Sequence, residues 1–186
     1  LTKGNDEQKI EASLGLADYY LTGEEKDTAK ADAAIKQAEE LAAKETDENK
    51  KKQYDTQIHA KKAEKLKAEA NEALEKGDTG SAAAKNEEAK QELKQAYEIS
   101  GDANIGAQYA VMECGGSTGT NIESCVSGIV KGEDEASTKQ KDAIIKQLKI
   151  QELQKKAAAE EDPAEQLKIY QEIEALDKSN YGVSQQ

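Results

Sequence analysis

The sequence predicts an all-α fold built of antiparallel helix hairpins. Three observations carry that prediction. Apolar residues recur at helical spacing along most of the chain. Glycine-bearing corners separate the periodic stretches. A single Pro stands in 186 residues, while Phe and Trp are absent and Ala is abundant and periodic. The clearest unit runs over 63–102. Leu66, Ala70, Ala73 and Leu74 precede a corner at Gly77-Asp78-Thr79-Gly80, and Ala89, Leu93 and Ala96 follow it. Glycine ends helices because it tolerates the left-handed backbone angles of a C-terminal cap. Gly101-Asp102 closes the second helix in the same way.

The elements follow in order. A first helix is expected over 6–21, with Ile10, Leu14, Ala17 and Leu21 along one stripe. Asp6 and Glu7 suit its start through the helix dipole. After Thr22-Gly23, a second helix runs over 28–45 and presents Ala31, Ala34, Ile35, Ala38, Leu41 and Ala42. Thr46-Asp47 opens a third over 48–76, with Tyr54 and Ile58 extending its inner side toward Leu66 and Leu74. The fourth covers 81–99. Residues 103–114 form a short helix with Ile105, Tyr109 and Met112 on one side. The segment CGGSTGTNIESC has loop composition, and 126–130 continue as a short helix or an irregular turn. Residues 137–160 form a long helix with Ile144, Ile145, Leu148 and Leu153 inside. Asp162-Pro163-Ala164-Glu165 is a strong start signal: Asp caps, Pro suits the first helical position, and Glu completes a capping box. The last helix, 163–178, is expected to bury Leu167, Tyr170, Ile173 and Leu176.

Composition narrows the function. The net charge is −12, so nucleic acid and anionic membranes are poor partners. Every cation other than the lone His59 is Lys, which removes the bidentate Arg fork for phosphate and carboxylate. Leu, Ile and Val make up only roughly 15% of the chain, so the core is thin. No run of about 20 apolar residues exists to insert in a membrane. The chain opens at Leu1 rather than Met, and the expectation is that something upstream was removed or is not included in this sequence. The polar opening LTKGNDEQK is not itself a signal peptide.

The hairpins resemble tetratricopeptide repeats (TPR). Leu14-Gly15 stands as the LG pair, followed by Tyr19-Tyr20, and Ala31, Ile35 and Ala38 match the second helix of a repeat. Ala70, Ala73, the Lys76-Gly77-Asp78 corner, Ala89, Leu93 and Ala96 match a second unit. Tyr170, Ile173 and the ending ALDKSN match a third, with Lys178 where Pro is usual. The units are longer than about 34 residues, and the Cys-containing segment has no counterpart. The resemblance implies a protein-binding superhelix. The expectation is thus a single helical-repeat domain over 1–186: a short TPR-like solenoid of hairpins at about 6–45, 47–101 and 137–178. One disulfide-bearing loop insertion lies in the irregular segment 103–135.

Cys114 and Cys125 flank ten residues of that insertion. They read either as a disulfide stapling an apolar-poor segment in an oxidising compartment, or as two unrelated cytosolic thiols. Closing so short a loop stabilises by about 2–3 kcal/mol. Zinc needs four ligands, and only His59 could join the pair. His59 itself reads as a surface or boundary residue, because a triad or His-metal site has no second histidine to build on. The carboxylate clusters lack calcium-loop spacing, with 132–135 the nearest to a weak cation site. Lys50-Lys51-Lys52 reads as a solvated stretch. Gly115-Gly116 lacks the Lys-Ser/Thr ending of a phosphate loop, and no Asn begins a glycosylation sequon.

Tyr19, Tyr54, Tyr97, Tyr109 and Tyr170 fall at or near buried stripes, which points to core packing. Tyr20 and Tyr181 fit those stripes less well, and Tyr181 with Val183 in a polar tail suggests docking. Tyr20, Tyr181 and Val183 are therefore the candidate contact residues. No nucleophile–base pair or cofactor motif appears, so no enzyme activity and no cofactor or metal are expected. Two readings stand. One is an extracytoplasmic scaffold or adaptor, secreted, periplasmic or at the cell surface, that holds another protein. The other is a structural subunit that assembles with copies of itself into an oligomer, an extracellular filament or a surface layer. The amphipathic pattern starts within about six residues of Leu1 and runs to within about ten of Gln186 without a polar capping unit, which favours stacking.

Overall fold

The computed structural model describes residues 3–178, with side chains from Asp6 onward. Among the described residues there are eight α-helices and no strand: α1 (Lys3–Thr22), α2 (Thr28–Ala42), α3 (Glu48–Glu75), α4 (Thr79–Ser100), α5 (Ala103–Cys114), α6 (Thr120–Ile129), α7 (Glu135–Ala159) and α8 (Pro163–Lys178). The chain divides into two compact units, Leu1–Tyr109 and Ala110–Gln186.

Aspartates start α2, α3, α4, α5, α7 and α8. Asp27 accepts the Lys30 N–H at 2.9 Å, Asp47 those of Asn49 and Lys50, and Asp78 that of Ser81. Asp102 accepts from Asn104 and Ile105, and Asp134 from Ser137. Each occupies donors that the first helical turn leaves unpaired. At α8, Asp162 accepts the Ala164 N–H at 2.8 Å as expected. The expected capping box does not close, however. The Asp162 N–H donates to Glu160, and Glu165 pairs instead with Lys168 one turn on.

In the first unit α3 is central. Its Lys50 reaches Glu7 at 3.0 Å and its Lys61 reaches Asp18 at 2.6 Å, both on α1. The same 43-residue offset in both pairs makes α1 and α3 parallel. Lys62 pairs with Glu39 and Lys65 with Asp32, so α2 runs antiparallel to α3. His59 meets Glu92 and Glu69 meets Lys85, which fixes α4 as antiparallel too. Ile10, Leu14, Ala17, Ala34, Ile35, Ala38, Ala42, Tyr54 and Ile58 form one buried cluster. Ala63, Leu66 and Ala70 of α3 and Ala82, Ala89, Leu93 and Ala96 of α4 are buried as well. Leu74, expected on the inner side, is instead 51% exposed, because it stands in the last turn of α3 just before the corner.

Glycine is needed at two places near the end of this unit. Gly101 has φ +64° and donates its N–H to the Tyr97 carbonyl at 2.7 Å, closing α4 with a left-handed cap. At Gly106 a Cβ would sit 2.8 Å from the Tyr97 ring.

The second unit holds the largest departure from expectation. The segment read as a loop insertion is a five-residue connection, 115–119, followed by a true helix, α6. Its Ile122, Val126 and Val130 are buried, and this spacing outweighs the Gly, Ser and Thr content that suggests a loop. Glu123 pairs with Lys149, and the Gly119 N–H donates to Glu152, so α6 lies antiparallel to α7. Lys146 donates to the Asp177 carbonyl and Gln166 to that of Ala157, so α8 is antiparallel to α7. Ile144, Leu148 and Ala157 of α7 are buried, but no residue of α8 is. Leu167 and Tyr170, expected inside, are 58% and 52% exposed. The stripe turned toward α7 contains Ile169, Ile173 and Leu176, all half-buried.

Two predictions follow from the alanine interfaces and the caps. Ala89→Leu forces a larger side chain into the closed α3–α4 interface and should destabilise by about 1–3 kcal/mol. Ala84→Leu on the exposed face of the same helix should stay within about 0.5 kcal/mol by thermal unfolding. The second concerns acid. Hydrogen bonds from Lys30 to Asp27, from Ser81 to Asp78 and from Ser137 to Asp134 hold these carboxyls below the usual aspartate range. Their contribution is present above the unfolded aspartate value, about 3.9, and is lost as pH falls through the lower folded values. The Tm should therefore drop in that window. A D27N/D78N/D134N variant, which keeps capping oxygens, should show a smaller acid loss.

Candidate interaction surfaces

Cys114 and Cys125 are joined, with sulfurs 2.00 Å apart and Cα atoms 5.8 Å apart. Cys114, the last residue of α5, is fully buried, whereas Cys125 lies within α6 and is half-buried. The bond thus ties one helix end to the body of the next, rather than the two ends of a free loop.

The tyrosines divide differently from the sequence pattern. Tyr54 is buried, and Tyr97 and Tyr109 are half-buried. Tyr19, expected in the core, is 50% exposed, and Tyr20, expected at the surface, is half-buried. The two rings meet edge to face at 5.4 Å, and the Lys30 ammonium sits over the Tyr20 ring. The cause is the turn of α1: Leu14, Ala17 and Leu21 face inward, which rotates Tyr19 out. Tyr181 and Val183 lie outside the described residues.

α1 has a second stripe that the sequence reading missed. Ala12, Gly15, Leu16 and Tyr19 fall at helical spacing and are all exposed, Leu16 by 48%. A Cβ at Gly15 would meet nothing within 4 Å. Its signal in the sequence is that α1 is apolar on two sides, and the outer stripe merges with the inner one. The first unit also carries two grooves. One, of about 500 Å³, runs between Tyr20–Thr22 and Glu64–Glu75, with Lys26 and Lys67 on its walls. Burial pushes the Lys67 ammonium down from the usual lysine range. The other, of about 520 Å³, lies between Lys52, Gln57, Ile99 and Ile105.

Titratable groups are largely engaged in structure. His59 Nδ1 lies 2.6 Å from Glu92, and both are half-buried between α3 and α4. Partial burial pushes the Glu92 carboxyl up, but His59 and nearby Lys62 and Lys65 outweigh it and leave it below the usual range. Lys50 and Lys51 are ion-paired with Glu7 and Asp55. In the 132–135 cluster Asp134 caps α7 and Glu135 pairs with Lys139. Among the described residues no three His, Cys, Asp or Glu side chains group to hold a metal ion. No described helix is long and apolar enough to cross a membrane. No protein-family model, curated protein or solved structure matches the chain.

The exposed and buried apolar residues of the second unit should respond unequally to substitution. Ile122→Ala empties a fully buried site and should cost about 2–5 kcal/mol. Leu167→Ser on α8 should change stability by no more than about 0.5 kcal/mol, both read from denaturant unfolding.

Proposed function

We propose that the chain is a non-enzymatic, extracytoplasmic helical-repeat protein that acts as a scaffold or adaptor through protein–protein contacts. One observation above all supports this: α1–α2 and α3–α4 are two antiparallel hairpins whose first helices run parallel, offset by 43 residues. Hairpins repeated in this way are the unit of TPR-like arrays, which offer an extended binding face. The joined cysteines support an oxidising location.

A second reading, a self-assembling subunit, is favoured by the exposed stripe of α1. Leu16 and Tyr19 beside the uncovered Gly15 have the character of a helix-packing surface, and a second copy is the occupant it suggests. A contact of this kind that does not close on itself makes a filament. Sedimentation and electron microscopy of the purified full chain separate the two readings. The scaffold reading expects a monodisperse species at every concentration, with unchanged size for L16E/Y19E. The assembly reading expects growth with concentration that L16E/Y19E abolishes without loss of helical signal.

A further inference from the structure

α6 is held by the disulfide, by polar contacts to α7 and by a small set of buried apolar side chains. At ten residues α6 is shorter than the roughly 12–15 residues an isolated helix needs in water. Its N-cap is Gly119, with no side-chain cap. The Gly119 N–H relies on Glu152 of α7 at 3.0 Å, and Glu123 pairs with Lys149 at the surface. Exposed ion pairs of this kind contribute little. Lys155 of α7 donates to the Gly115 carbonyl just before α6, and Ile122, Val126 and Val130 are buried. On the other side, α8 covers α7 without burying any residue of its own. The large buried side chains of the unit are Ile122, Val126, Val130, Ile144 and Leu148, all on or next to α6 and α7. The first unit, by contrast, has aliphatic and tyrosine side chains buried along α1, α2, α3 and α4.

We propose that the Cys114–Cys125 bond is a redox switch for the packing of α6 on α7. Oxidised, it holds α6 in place over Ile144 and Leu148. Reduced, α6 leaves α7 and uncovers an apolar surface of Ile122, Val126, Ile144 and Leu148, while α1–α4 keep their structure. The half-buried Cys125 gives a reductant its approach, because Cys114 is closed off. The reductant is a dithiol, small-molecule or protein. One of its thiolates attacks the Cys125 sulfur, the S–S bond breaks, and Cys114 leaves as a thiolate that takes up a proton. The second thiol then displaces Cys125, so the products are two cysteine thiols and the oxidised dithiol. A disulfide-bearing oxidant runs the exchange in reverse. The switch is independent of whether the chain holds a partner or itself.

Hydrogen exchange on the full chain, oxidised and after dithiothreitol, tests this. The expected result is that amides of 120–129 and 141–157 lose protection by about a hundredfold, those of 28–100 change less than threefold, and reoxidation with glutathione disulfide restores the first set. C114S/C125S should show the reduced pattern without reagent and should bind a hydrophobic dye. A bond that survives dithiothreitol in the folded protein overturns the proposal. So does a reduced chain whose 120–157 amides stay within threefold of the oxidised state, or one that loses protection equally in α1–α4. Should the double variant fail to fold, reduction and reoxidation of the unaltered chain decide alone.

Discussion

Close approach of helices through alanine is the constraint from which the first unit follows. α3 and α4 bury Ala63, Ala70, Ala82, Ala89 and Ala96, and Ile58, Leu66 and Leu93 are the large aliphatics buried along them. Each alanine removes little apolar area from water, so the hydrophobic gain per residue is small. The compensation lies on the other side of the balance. Alanine has the best helix propensity and loses no side-chain entropy on burial. A core of this kind is stable because ordering it costs little, and it tolerates no added bulk.

A face lined with alanine is also smooth, and a smooth face specifies register weakly. The ion pairs of α3 supply what the packing lacks. Lys50 and Lys61 address α1, Lys62 and Lys65 address α2, and His59 and Glu69 address α4. Individually such pairs add little stability. Together they fix which turn of each neighbour lies beside which turn of α3, and a one-turn slip would pull these pairs apart. The lysine stems serve a second purpose, covering the rims of the alanine interfaces while the ammonium groups stay wet. In a chain of net charge −12, Lys50, Lys61, Lys62 and Lys65 of α3 are thus each engaged by a carboxylate of α1 or α2.

How much of this was legible in the sequence depended on how strongly each stretch commits to one period. Ile10, Leu14, Ala17 and Leu21, and Ala31 to Ala42, alternate so regularly that their buried faces could be named residue by residue. The pairing of Cys114 with Cys125 was legible as one of two alternatives, from their number and the composition between them. The structure of 120–129 was not, because Thr, Asn, Ser and Gly dilute the Ile122–Val126 spacing that makes it helical. The exposure of Leu167 and Tyr170 was not legible either. Periodicity says which residues share a face, but not whether a neighbour arrives to cover it. The outer stripe of α1 is the same problem in reverse: a helix apolar on two sides looks like one broad stripe until its neighbours are known.

The two units therefore reach order by different means. In α1–α4 alanine spacing, aspartate caps and interhelical ion pairs all favour the same arrangement, and no covalent link is required. In the second unit the local signals conflict. α6 is short and lacks a side-chain cap, and its partner α7 has only Ile144, Leu148 and Ala157 buried. A covalent tie placed at that point acts mainly on the unfolded ensemble, shortening the search that weak local preferences leave open. The bond sits on the short helix whose apolar spacing is diluted by loop-forming residues. The means of holding order thus differ along this chain, and in the second unit one covalent bond supplements a small buried core.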